Sequence, residues 1–152
     1  MTYGLMTPAI AALALCQTVA LWRLSRTVKS ASRVNDRLAQ FAEALALRRD
    51  NAQALAGLAW IRATAADPAL RDTAESVRLA ERADELTRHQ DVIALDALAA
   101  SYAAAARYPD AIRVAEIGFR LSSAAGQVAI AAQFRQRIEL YQSGQPLRMP
   151  ER

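Results

Sequence analysis

Between Asp91 and Leu121 the chain reads DVIALDALAASYAAAARYPDAIRVAEIGFRL. Small residues fall at Ala99, Ala111, Ala115 and Gly118, and large ones at Leu98 and Tyr102, at spacings that set each group along a helix face. Alanine and glycine at such positions let two helices approach closely, while the leucine and the tyrosine fill the space between them. Pro109 stands where a first-turn proline belongs. Two helices, Ile93–Ala106 and Pro109–Ser122, are therefore expected, with a reversal at Arg107–Tyr108. Alanine and leucine dominate the remainder, Gly and Pro are few, and no β-branched run occurs, so the fold class expected is all-α.

The same reading extends in both directions. Asn51 is a good N-cap for a helix over Ala54–Ala65, with Leu55, Leu58, Ala59 and Ile61 or Trp60 facing inward. Ala66-Asp67-Pro68 ends that helix or opens a short extra turn. Asp72 or Thr73 caps the next, which runs to Thr87. After a break at Ser123–Gly126, a last helix is expected over Val128–Tyr141. Its residues Val128, Ile130, Ala131, Phe134, Ile138 and Leu140 would pack inward, and Gln133, Arg135, Gln136 and Glu139 would form a polar outer face. Ser143-Gly144-Gln145-Pro146 stops it, and residues 143–152 read as a flexible tail.

Leu98-Ala99, Tyr102, Ala111, Ala115 and Gly118 together resemble the small-and-large ladder of the tetratricopeptide repeat family. Leu58-Ala59 followed by Ser76, Ala80 and Ala83 is similar to a second, more distorted copy whose connecting loop is lengthened by Ala63–Asp72. Phe41, Ala44, Leu45 and Leu47 resemble the second helix of a further copy. Arg37, Arg49 and Ser123 depart from the pattern. The segment from Leu58 to Pro146 looks like the terminal portion of large bacterial tetratricopeptide proteins, in which a last helix caps the array. The resemblance implies a short α-solenoid of antiparallel helix pairs over residues 49–142 with a C-terminal capping helix. It also implies a concave face, drawn from the first helix of each pair, that binds an extended peptide or a helix of another protein. Asn51, Gln53, Arg62, Asp96 and Ser101 are the candidate residues of that groove.

A different solvent is implied at the start. Thr2–Trp22 carries no charged residue, and as a helix it reaches about 31 Å, near the hydrocarbon thickness of a bilayer. Tyr3 and Trp22 stand at its ends, where amphipathic aromatics favour the interface. A cleaved signal or a lipoprotein signal would begin with basic residues, and none precedes the run; Leu15 is also too large just before Cys16 for a lipoprotein. A retained transmembrane helix is expected, continuing through residues 23–48 as a helical extension that docks on the domain. Arg23, Arg26 and Lys29 follow the run at the membrane surface, with Arg33 and Arg37 further along the same stripe. The positive-inside rule then gives a single-pass protein of the bacterial inner membrane with its C-terminal domain in the cytoplasm. Ala12, Cys16 and Ala20, spaced four apart, would let another transmembrane helix pack closely.

Reactive groups are sparse. One cysteine, Cys16, and one histidine, His89, leave no disulfide framework and no Cys/His metal cluster within one chain. Glu81, Asp84 and Glu85 alternate with Arg78, Arg82 and Arg88 at helical spacing, which reads as a solvated, salt-bridged face. His89 reads as a surface residue, and Trp60 and Tyr102 as core. The net charge of +4 does not imply nucleic acid, because acids interleave with the bases beyond Arg49. No catalytic residue, metal or cofactor is expected, nor a small-molecule substrate. The partners expected are the lipid bilayer and another protein or a membrane-complex subunit. The function expected is that of a membrane-anchored adaptor or scaffold for protein–protein interaction. The alternatives are a small accessory subunit of a larger membrane complex and, with opposite topology, a periplasmic assembly factor.

Overall fold

The computed structural model describes Lys29, residues 32–48 and residues 50–150. The chain divides into two units, Met1–Asp36 with Glu151–Arg152, and Arg37–Pro150. The run Thr2–Trp22, with Ala12, Cys16 and Ala20, lies outside the described residues, as do Arg23 and Arg26; Lys29 is helical and exposed. Among the described residues no helix is long and apolar enough to cross a membrane.

The described residues are helical, with no strand among them. A helix over residues 32–47 (α1) is followed by α2 (Ala52–Thr64), a 3-10 turn (Pro68–Leu70), α3 (Thr73–Leu86), α4 (Val92–Ala104), α5 (Tyr108–Ala124) and α6 (Val128–Gln142). Short polar side chains start three of these helices. Asn51 Oδ1 accepts the Ala54 N–H at 3.1 Å, Asp72 Oδ1 that of Glu75 at 2.9 Å, and Asp91 Oδ1 that of Ile93 at 2.8 Å. No side chain caps α5 or α6, and α5 carries Pro109 in its first turn, where a missing N–H needs no partner.

The ends of α3, α4, α5 and α6 share one device. After α4, the Arg107 N–H donates to Tyr102 O at 2.9 Å and the Ala106 N–H to Ala103 O at 3.0 Å. These two bonds, with Ala106 at φ 58°, make a Schellman turn. The same pair of bonds closes α3 at Arg88 (φ 53°), α5 at Gly126 (φ 70°) and α6 at Gly144 (φ 71°). Glycine supplies the left-handed residue twice; at Arg88 and Ala106 a side chain is forced into it.

Successive helices from α2 to α6 pack on one another, and α2 also packs on α4. Helix α4 is the most enclosed: Ala94, Leu95, Ala97, Leu98, Ala99, Ala100, Ser101 and Ala103 are all buried. Asp96 is its one charged residue, whereas α3 keeps a polar outer side. Ile61, Leu95, Leu98 and Phe134 are buried, each contributing about 2–3 kcal/mol of transfer free energy. The alanines add less individually, but they set the close approach. The buried serine and threonine hydroxyls are satisfied within their own helices: Thr64 donates to Trp60 O, Ser76 to Thr73 O, Ser101 to Ala97 O and Ser122 to Gly118 O.

Two aromatic rings sit on glycines. A Cβ at Gly118 of α5 would lie 2.3 Å from Phe134 Cζ of α6, and one at Gly57 of α2 would lie 2.2 Å from Phe41 Cζ of α1. The ring of the following helix therefore requires a small residue at Gly118. Phe41 and Leu45 bring α1 onto the domain, while Leu47 is 79% exposed.

Candidate interaction face

Helices α2, α4 and α6 run the same way, because the short turns before and after α3 and α5 each reverse the chain. Across the face they share, Arg137 of α6 pairs with Asp96 of α4, and its guanidinium lies over the Trp60 ring of α2, 4.9 Å from the centroid. Only 15% of the Arg137 side chain and 20% of that of Asp96 are exposed. A single arginine thus joins three helices by a charge-assisted bond and a cation–π contact. Tyr141, one turn further along α6, is buried with its hydroxyl unpartnered among the described residues. Burial pushes its phenol up to about 12, against the opposing effect of Arg137, so it stays neutral.

Of the expected groove residues, Asp96 faces Arg137. Gln53 is exposed. Asn51 is half-buried, and its side chain is engaged in capping α2. Arg62 turns toward α3 instead: Nε lies 3.1 Å from Glu75 Oε2, without the N–H aimed at it, and Nη1 donates to Leu70 O at 3.2 Å. Ser101 is fully buried and does not reach the face. The structure therefore does not bring these five together. Arg137 and Trp60, which do meet, were legible only in part. Arg137 falls within the inward stripe Phe134–Ile138–Tyr141, and a guanidinium there signals a polar partner across the interface.

The acidic side of α3 is less uniform than expected. Glu85 pairs with Arg82 at 3.3 Å and Glu81 accepts the Tyr102 hydroxyl at 2.9 Å. Asp84 is buried; its Oδ2 lies 2.5 Å from His89 Nδ1, and its Oδ1 has no partner among the described residues. The Schellman turn at Arg88 folds His89 back to this contact while leaving most of its ring in solvent. Among the described residues no group of three or more His, Cys, Asp or Glu could hold a metal ion.

Large apolar side chains stand exposed at the edge where α2, α4 and α6 begin. Leu47 is 79% exposed, Ile93 54% and Val128 78%. Val128 was expected to pack inward; it is the first residue of α6, and burial in that helix starts at Ile130 and Ala131. Beside it lies an open hollow of about 250 Å³, lined by Phe119, Ser123, Gly126, Ala131, Ala132 and Arg135. Comparison with known proteins adds no relative: no family model, no curated protein and no solved structure matches the chain.

Proposed function

We propose that the chain is a membrane-anchored adaptor of the tetratricopeptide type, whose helical domain docks another protein. The observation that carries this reading is the exposure of Leu47, Ile93 and Val128, which stand just before or at the starts of α2, α4 and α6, with the hollow beside Val128. Large apolar side chains left exposed at the helix starts favour association with protein. The uncharged run Thr2–Trp22 and the basic residues after it support the anchor and a cytoplasmic domain. The ladder of small residues, occupied in this fold by close helix contacts, supports the repeat type.

The test is an Ile93→Asp/Val128→Asp variant of the full chain, purified in mild detergent beside the wild type. Both positions lie in the first turn of a helix, where aspartate is favoured by the helix dipole, so folding is expected to be retained. Proteins co-purifying with the wild type should fall by about tenfold or more with the variant. An unchanged set of partners would overturn the reading. A stoichiometric complex surviving size exclusion would favour the accessory-subunit alternative, and periplasmic activity of a reporter fused after Arg152 would favour the assembly factor.

A further inference from the structure

The segment after α6 was read from the sequence as loose, yet it lies across the end of the domain opposite the apolar row. Beyond Gly144 it runs back to the last turn of α2. There the Met149 N–H donates to Thr64 O at 2.8 Å and Arg148 Nη1 to Ala63 O at 2.8 Å, while Leu147 packs against the core. The accounting of α2 carbonyls explains why this place attracts donors. Ile61 O is taken by the Ala65 N–H and Arg62 O by the Asp72 N–H. The Ala65 and Ala66 carbonyls receive Arg71 Nη1 at 3.3 and 3.4 Å. Ala63 and Thr64 O are left over, on residues that are fully buried, at the negative end of the helix dipole.

We propose that this carbonyl end of α2 is a binding seat for an extended segment carrying an apolar residue followed by arginine, and that residues 145–150 occupy it in cis as an exchangeable strap. This rests on the adaptor reading and gives it a second, chemically defined site. The strap is held by two hydrogen bonds to α2 and the packing of Leu147. Arg148 is exposed along much of its length, and a second cation, Arg71, converges on the same helix end. Burial and Arg71 both draw the Arg148 guanidinium below its ordinary range, with Tyr108 acting the other way. Gly144 at φ 71° forms the bend from which the segment leaves α6. Weak contacts suffice in cis because the short tether supplies an effective concentration of about millimolar, which a partner of modest affinity can match.

The test uses the full chain and a fluorescent peptide with the sequence of Ser143–Pro150. Leu147→Asp removes the apolar anchor and frees the seat without touching it. The peptide should bind this variant about tenfold or more tightly than the wild type, and replacing its arginine by alanine should weaken binding by about tenfold. Absence of binding to a variant with unchanged helix content, or equal binding to both chains, would overturn the proposal. Hydrogen exchange on the wild type tests the strap without any variant. The Met149 amide should exchange about a hundredfold or more faster than the α4 amides, whereas exchange as slow as in α4 would mark a fixed cap and overturn the proposal. If the peptide fails while co-purifying proteins still depend on Ile93 and Val128, only the seat falls and the adaptor reading stands.

Discussion

The Phe134 and Phe41 rings occupy equivalent places on Gly118 and Gly57, but their surroundings differ. Phe134 is 1% exposed, whereas Phe41 is half-buried. Replacing either glycine by alanine gains about 1 kcal/mol of helix propensity. At Gly118 the new methyl meets a ring that has nowhere to go, and overpacking of this kind costs about 1–3 kcal/mol. At Gly57 the ring can swing toward solvent. Gly118→Ala should therefore lower stability by up to about 2 kcal/mol, while Gly57→Ala should leave it unchanged or raise it by up to about 1 kcal/mol. Thermal unfolding followed by circular dichroism separates the two; equal losses would mean that both rings are equally confined. The need for a small residue at 118 was legible in the sequence. The ring that enforces it was not, because the repeat pattern points to the hairpin partner and the ring comes from the next helix.

The helices themselves were legible where chemistry marks their ends. Asn51, Asp72 and Asp91 announce starts, Pro109 a first turn, and Gly126 and Gly144 stops. The left-handed residues at Arg88 and Ala106 leave no such mark, since neither residue type prefers that conformation. Ala106 holds φ 58° at a cost of about 1 kcal/mol, supplied by the two turn bonds and the packing of the pair. Ala106→Gly should therefore raise stability by about 0.5–1 kcal/mol, and Gly126→Ala should lower it by about 1 kcal/mol, read as opposite shifts in the unfolding midpoint. A loss in both would show that the Ala106 methyl makes a packing contact outweighing its strain. Periodicity also failed at helix starts. Val128 belongs to the apolar stripe of α6 by spacing, but a stripe does not reveal where the neighbouring helix stops covering it.

Across the whole domain, the pairing of each helix with its sequence neighbour was foreseeable, whereas contacts that skip a helix were not. Arg137 is the main example, reaching from α6 to Asp96 and Trp60. Arg137→Ala would leave the mostly buried Asp96 carboxylate unpaired and uncover the indole, with an expected loss of about 1–3 kcal/mol. Because α6 packs chiefly on α5, the loss should appear first as faster amide exchange in α6 than in α4. Adding Asp96→Asn should recover part of it by removing the orphaned charge. Uniform acceleration across all helices would instead mean that the domain opens only as one unit.

The ring-in-glycine joint has a bearing on how such a domain could be lengthened. It fastens a flanking helix on each side, through Phe41 at one end and Phe134 at the other, and each joint requires one aromatic on the incoming helix and one glycine on the receiving helix. Both halves are short-range and carry no charge, so their register does not depend on the rest of the sequence. A helix pair spliced between α5 and α6, with a phenylalanine to enter Gly118 and its own glycine to receive Phe134, would keep every joint intact. The domain thus contains the template for its own extension.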